Sequence, residues 1–286
     1  MTTPTLEQLR QWIGRSETRT ETLAAEPVHA LAATFDLDGD ALVSQPLPPL
    51  WHWLYFLPRA PQHELGQDGH PALGGFLPPV PLPRRMWAGS ELSFARGLRV
   101  GETVTKTSTI TDVQHKSGRS GELWFVTVDH VLSVGGATAL SERHDIVYRA
   151  MPERGQPQPP RPRLPHVPQF GRTLQADPVL LFRYSALTFN GHRIHYDLDY
   201  VRDVEGYPGL IVHGPLQAML MLELLRRERP DARVKRFGFR GLAPLFHQDT
   251  VTVGGMDDAE SPGKVILWTG DDAGGQAMSG WAEVER

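Results

Sequence analysis

Between Leu187 and Tyr200 the chain reads LTFNGHRIHYDLDY, with two histidines, two aspartates, an asparagine and a threonine set among apolar residues of core type. An imidazole titrates near neutrality, so His195 could take up a proton and return it within one reaction cycle. The amide of Asn190 can hold a water through hydrogen bonds but cannot carry its proton. His192 and His195 also form an H-x-x-H pair, which raises the question of a metal. On spacing alone, a catalytic loop and a polar loop with a structural histidine fit equally well. Downstream, GLIVHGPLQAMLM sets His213 and Gly214 directly before a long apolar stretch. A backbone N–H at the start of a helix there would stabilise developing negative charge. Such a donor is typically worth ~3 kcal/mol of transition-state binding.

The elements that must position these residues can be read on either side of them. Residues 215–229, PLQAMLMLELLRRER, predict a helix whose apolar surface is almost continuous, suited to burial inside a curved sheet. Pro215 at its first position gives up only a donor that had no partner. The stretch ELSFARGLRVGETVTKTSTITDVQHKSGRSGELWFVTVDHVLSV holds three segments rich in Val, Thr, Ile and Phe, separated by KSGRSG and closed by VGG. It predicts an antiparallel meander, with SERHDIVYR as a closing strand. VKRFGFRGLAPLF, DTVTVGGMD, GKVILWTGD and AMSGWAEVER predict further strands after residue 229. The first half offers weaker helical patterns in TLEQLRQWI and LWHWLYFL.

The 25 prolines cluster, and MPERGQPQPPRPRLPHVP at residues 151–168 has the composition of an extended linker. It divides the chain into residues 1–150 and 169–286. At 286 residues, 40% apolar and 22% charged, the protein has ample material for folded cores. A net charge of −4 favours neither nucleic acid nor an anionic membrane surface. The absence of cysteine excludes disulfides, thiolate metal sites and cysteine nucleophiles. The polar N-terminal stretch is unlike a secretory leader and no run is long enough to cross a bilayer, so a soluble cytoplasmic protein is expected.

YSALTFNGHRIHYD followed by GYPGLIVHGPLQAMLM resembles the hydratase motif of the MaoC-like (R)-specific enoyl-thioester hydratases. The match is close from Phe182 to Leu225 and looser over RRMWAGSELSFARGLRVGETV. Asn190 stands where the family has an aspartate, His195 matches its histidine, Asp197 its trailing aspartate, and His213-Gly214 its His-Gly. The resemblance implies an α+β double hotdog, each half an antiparallel curved sheet wrapped around a long buried helix. The N-terminal half would be non-catalytic and the C-terminal half catalytic. It points to the two-domain 3-hydroxyacyl-thioester dehydratases and the mesaconyl-C4-CoA and itaconyl-CoA hydratases.

The implied chemistry is reversible addition of water to a short α,β-unsaturated acyl-CoA, with a C5 dicarboxylic acyl group as the leading expectation. A fatty-acid-type 3-hydroxyacyl dehydratase and a degenerate thioester-binding hotdog are the alternatives. A hotdog thioesterase would want an acid where Asn190 stands. His195 would be base and acid alone, Asn190 would aim the water by accepting from it, and Gly214 N–H would face the oxyanion. No metal or cofactor is expected, the CoA thioester being the substrate. Gly191 and the nearby aspartates argue for a turn rather than a metal helix. Asp197 could orient His195, or it and Asp199 could be turn and cap residues. His213 and Tyr184 are candidates for the pocket wall, although a strand alternating core and surface would explain Tyr184 and Ser185 equally. Lys235, Arg236 and Arg240 are candidates for the CoA phosphates, against a solvated basic edge. Arg84 and Arg85 are candidates for clamping a substrate carboxylate, against packing on Trp87. The double hotdog already supplies both halves of a dimer, so monomer and homo-oligomer are both allowed.

Overall fold

The computed structural model describes residues 4–118, 121–151 and 159–285. Its strands are β1 (Ser16–Thr22), β2 (Arg84–Phe94), β3 (Thr103–Gly118), β4 (Gly121–Val134), β5 (Ala137–Arg149), β6 (Phe170–Gln175), β7 (Arg233–Gly241), β8 (Thr250–Asp257), β9 (Lys264–Asp271) and β10 (Gln276–Glu285). Its helices are α1 (Leu6–Arg10), α2 (Glu26–Thr34), α3 (Gly39–Val43), α4 (Pro178–Leu187), α5 (Leu198–Asp203) and α6 (Gly214–Glu228). The part of the expected linker at residues 152–158 lies outside the described residues.

All ten strands share one sheet in the order β1-β3-β4-β5-β2-β7-β10-β9-β8-β6, with neighbours antiparallel. The first five strands therefore lie on one side of the β2–β7 seam and the last five on the other. That is a double hotdog. The seam runs from Gly89 opposite Arg240 to Ser93 opposite Arg236. Gly89 is required there, since a Cβ would overlap the carbonyl of Phe239 across the seam. At the outer edge, Thr18, Thr20 and Thr22 of β1 hydrogen-bond Thr107, Thr105 and Thr103 of β3 at 3.2, 3.0 and 3.0 Å. The alternating TRTET and TVTKT sequences build this polar ladder because successive side chains leave opposite faces of a strand.

α6 is the central helix of the second half, and every residue from Leu216 to Leu225 is buried. Its polar members are satisfied: Gln217 accepts from Thr269 Oγ1 at 2.7 Å, and Glu223 is held by Arg226 and Arg227. The first half departs from the expected pattern of one long helix per half. LWHWLYFL forms only a 3-10 turn at Trp51–Leu54, and TLEQLRQWI yields the five-residue α1. Leu50 and Phe56, at φ 74° and 57°, turn the chain away at both ends of that 3-10 segment. The nine-residue α2 packs instead, its Val28, Leu31 and Ala32 sharing one core with Leu92, Val104, Leu132 and the α6 leucines.

LLFRYSALTFN likewise departs from a strand reading. Asp177 caps α4 through Leu180 N–H at 2.8 Å, and Pro178 occupies its first turn. Its buried residues, Leu181, Tyr184 and Ser185, have the spacing of one helix face. No helix among the described residues is long and apolar enough to cross a membrane.

Candidate active site

The loop between α4 and α5 carries the chemistry-bearing residues, and local hydrogen bonds set its shape. Asn190 N–H donates to Ser185 O at 2.8 Å, and His192 N–H donates to Asn190 Oδ1 at 3.0 Å. A 3-10 turn at Arg193–His195 follows, and Asp197 caps α5 through Tyr200 N–H at 3.0 Å. Asp197 also pairs with Arg193 at 2.7 Å, so it is a cap and does not orient His195. That orientation comes from Ile211, whose carbonyl accepts the Nδ1–H of His195 at 2.7 Å. Nε2 is thereby left as the free lone pair, open to the cavity and without a partner among the described residues.

His213 stacks on His195, with centroids 3.6 Å apart and planes 18° apart. Its own Nε2 shares a hydrogen with Ser185 Oγ at 2.8 Å, and its Nδ1 is buried without a partner. Behind it, the edge of the Tyr184–His213 pair closes at 4.9 Å, so buried Tyr184 supports the stack as core. Burial pushes the pKa of His195 down to about 4, the Ile211 carbonyl opposing only in part. Burial first, and then the adjacent His195, hold His213 well below the usual range. Both rings are neutral at pH 7, as a stacked imidazole pair must be to avoid adjacent buried charges.

His195, Asn190 and Gly214 line one cavity of about 1820 Å³ at the seam between the halves. Gly214 opens α6, and its N–H has no acceptor among the described residues. Asn190 Oδ1 keeps a lone pair for a bound water. Its other lone pair is occupied by His192 N–H, and the free Nδ2 hydrogens make Asn190 a donor as well. A second chamber of about 850 Å³ shares Asn190, His70, His144 and Trp87 with the first.

The cationic residues divide into tied and open ones. Arg84 lines the cavity but is neutralised, its Nε lying 2.9 Å from Glu205 and its Nη2 donating to Tyr207 OH. Arg85, beside it, lines the cavity with no ion pair among the described residues. Lys235 pairs with Glu285 at 3.1 Å and Arg236 with Glu283 at 3.0 Å, and neither lines the cavity. They belong to the basic edge. Arg240 does line the cavity, together with Lys116 and Arg149 of the first half, which sequence reasoning missed.

Sequence reasoning also missed Asp68 and His70, carried to this loop from the first half. Asp68 Oδ2 accepts from His70 Nδ1 at 2.9 Å, and the His70 ring lies 4.0 Å from that of His192. Asp68, His70 and His192 are the group among the described residues whose ligand atoms come within 4.8 Å of one another, as metal ligands would. The H-x-x-H pair is therefore split: His192 faces His70, and His195 stands outside that group.

The sequence profile of the family described as hydroxyacyl-thioester dehydratase type 2 matches residues 50–247. The chain belongs to this family. Its members' names make it a hydro-lyase family, and this chain is an enzyme of that kind. The chain is 50% identical over 241 residues to the mesaconyl-C4-CoA hydratase of Chloroflexus aurantiacus, covering 82% of this chain and 84% of that one. Among solved structures, a MaoC-like dehydratase of Phytophthora capsici superposes with a TM-score of 0.69 at 16% identity, covering 99% of each chain. A conserved Mycobacterium tuberculosis protein with a double hotdog fold gives a TM-score of 0.56 at 15% identity, covering 99% of this chain and 98% of that one.

Proposed function

We propose that this hydro-lyase reversibly hydrates the double bond of a short enoyl-CoA whose acyl group bears a second carboxylate, with mesaconyl-C4-CoA as substrate and itaconyl-CoA as the near alternative. The observation that carries the reading is the 50% identity to a mesaconyl-C4-CoA hydratase over four-fifths of the chain. Arg85 supports it, since a guanidinium in the cavity wall with no ion pair among the described residues suits a bidentate carboxylate. No cofactor is called for, because a conjugated thioester accepts the electron pair itself.

In this reading His195 Nε2 takes a proton from a water held over C3, its neutral state secured by burial. Asn190 orients that water from a loop whose shape its own Oδ1 helps to hold. The Gly214 N–H, at the start of a fifteen-residue helix, meets the charge that develops on the thioester oxygen. His213 keeps the His195 ring in plane by stacking. Arg240, Lys116 and Arg149 offer charge to the CoA phosphates at the cavity rim.

A second reading, a fatty-acid-type 3-hydroxyacyl dehydratase, draws on the 850 Å³ chamber, where Phe56, Leu57 and Phe189 could receive a longer acyl chain. The test is the ultraviolet loss of the enoyl-thioester band for mesaconyl-C4-CoA, itaconyl-CoA, crotonyl-CoA and a C8 2-enoyl-CoA. The dicarboxylic thioesters should give the highest kcat/KM. A C8 substrate turned over faster than both would move the assignment to the second reading.

A further inference from the structure

The catalytic loop is braced from across the seam. Arg193 N–H donates to Asp68 O at 2.9 Å, and the Arg193 guanidinium donates to Gln67 O at 3.2 Å. Gly69, at φ +88°, lies so near Gly191 that a Cβ would overlap its carbonyl. This docking sets Asp68 and His70 in the wall of the same cavity as Asn190, His192 and His195. Asp68 grips His70 twice, accepting its backbone N–H at 3.0 Å and its Nδ1–H at 2.9 Å. That fixes the ring and directs Nε2 away from the carboxylate. His192 stands between the two candidate bases, 4.0 Å from His70 and 5.5 Å from His195 by ring centroids.

Hydration needs a proton at C2 as well as a base for the water, and the amide at position 190 can carry none. Of the four imidazoles gathered around the loop, His70, His192, His195 and His213, only His70 has a carboxylate beside it among the described residues. Burial holds the His70 imidazole below its ordinary value, and Asp68 opposes only in part. The ring therefore rests neutral with Nε2 as a lone pair, and the carboxylate stabilises the imidazolium it becomes in transit. A divalent cation is a poorer occupant. Both Asp68 oxygens are engaged by His70, and the charge of Arg85 acts on Asp68, His70 and His192 alike.

We propose that His70, held by Asp68 and brought to the site by the first half, is the second proton-transfer group of the hydration. This rests on the hydratase reading above. An O–H bond of the water breaks and its proton passes to Nε2 of His195, while the oxygen bonds to C3. The C2=C3 pair moves onto the thioester as an enolate. The proton taken by His195 passes through His192 to Nε2 of His70, and the enolate pair returns to form the C2–H bond with it. His195 and His70 are then both neutral again, as they began. In this scheme His70 is a catalytic residue, and Asp68 and His192 position and relay.

The experiment compares His70→Gln, Asp68→Asn and His195→Ala with the wild type on mesaconyl-C4-CoA. It also follows exchange of the C2 hydrogen of the hydrated product in D2O, binding of a saturated acyl-CoA, and the melting temperature. His70→Gln should lose about a hundredfold in kcat and in C2 exchange, with acyl-CoA binding within about threefold of wild type. Asp68→Asn, which keeps an acceptor but not the charge, should lose about tenfold. Extensive dialysis against EDTA should leave the wild type unchanged.

Wild-type kcat and C2 exchange in His70→Gln, with His195→Ala inactive, would overturn the proposal and leave the hydratase reading standing. Loss of wild-type activity on EDTA, restored by Zn2+, would also overturn it, making the group a metal site. Should His70→Gln melt early, Asp68→Asn decides alone: unchanged C2 exchange in that variant rules the dyad out. No hydration by the wild type would instead remove the reading on which it rests.

Discussion

Each half of the molecule buries a knot of imidazoles, and the two knots end differently. In the first half Glu142, fully buried, accepts from His52 Nε2 at 3.0 Å, from Trp53 Nε1 at 3.0 Å and from His144 Nε2. His130 completes the cluster through Ser108 Oγ at 2.8 Å. Burial would raise the Glu142 carboxyl, but His144 and His52 hold it well below the usual range. In the second half His195 and His213 stack with no acid paired to either among the described residues, and the helix behind them presents a free N–H to a cavity. A buried polar group with every partner supplied specifies structure, whereas one left open beside a cavity is available for chemistry. The described residues of the first half hold no long central helix whose N-terminus could open onto a site, and that half contributes wall, brace and charge instead.

Four perturbations sharpen or break that contrast. The largest effect belongs to His195→Ala, which removes the open lone pair. Hydration should fall by about a thousandfold while acyl-CoA binding and melting temperature hold, as steady-state kinetics and calorimetry would show. Retained turnover would mean that the open knot is as structural as the closed one.

Glu142→Ala should do the reverse. It strips the closed knot of the carboxylate that holds it and should cost about 3 kcal/mol in urea unfolding, with kcat per folded molecule near wild type. A stability within about 0.5 kcal/mol of wild type would show that the knot specifies little.

Both knots contribute to a shared acid lability. Burial lowers His52, His130, His192, His195 and His213, so below the ordinary 6.5 the unfolded chain binds protons that the native one refuses. Stability should be full above that value and should decline as pH falls from about 6.5 toward 4, readable as a falling denaturation midpoint. The acid limb of the hydration rate should lie nearer pH 4 than 6.5, since His195 stays neutral to about 4. A flat stability profile from pH 8 to 5 would contradict the burial account.

Smaller effects separate open cations from tied ones. Arg85→Met should raise KM about tenfold for a dicarboxylic thioester and leave crotonyl-CoA unaffected. Arg240→Ala should weaken acyl-CoA by about threefold, while Lys235→Ala, in an exposed ion pair, should change KM by less than about twofold. Equal responses from Arg240 and Lys235 would erase the distinction.

Asn190, His195, His213 and Gly214 stood out in the sequence through the resemblance of their motif, spacing alone leaving a catalytic and a structural loop equal. The structure sets Asn190, His195 and Gly214 in one cavity wall. The loop turns on its own hydrogen bonds, and Gly-Pro announces the helix that follows. The strands from VKRFGFRG to AMSGWAEVE were legible because their alternation is a property of the strand itself. α4 was legible in principle: Asp177-Pro178 is a cap signal and positions 181, 184 and 185 form a helical face, but a short apolar run also suits a strand. In the first half LWHWLYFL looked like a helix by its apolar content, yet positive φ at Leu50 and Phe56 reverses the chain at each end.

The sequence by itself determined the helix that follows the loop, its Gly-Pro start and the residue kinds at the loop's centre. The tertiary structure alone decided which partners those residues meet. His195 takes its tautomer from Ile211, Arg84 is neutralised by Glu205, and Asp68 with His70 crosses from a glycine-rich loop more than a hundred residues away. Periodicity and capping are short-range consequences of backbone geometry and survive in one dimension. A pairing that forms only when two sheets meet edge to edge has no spacing to betray it, and it decides which buried side chains remain free to react.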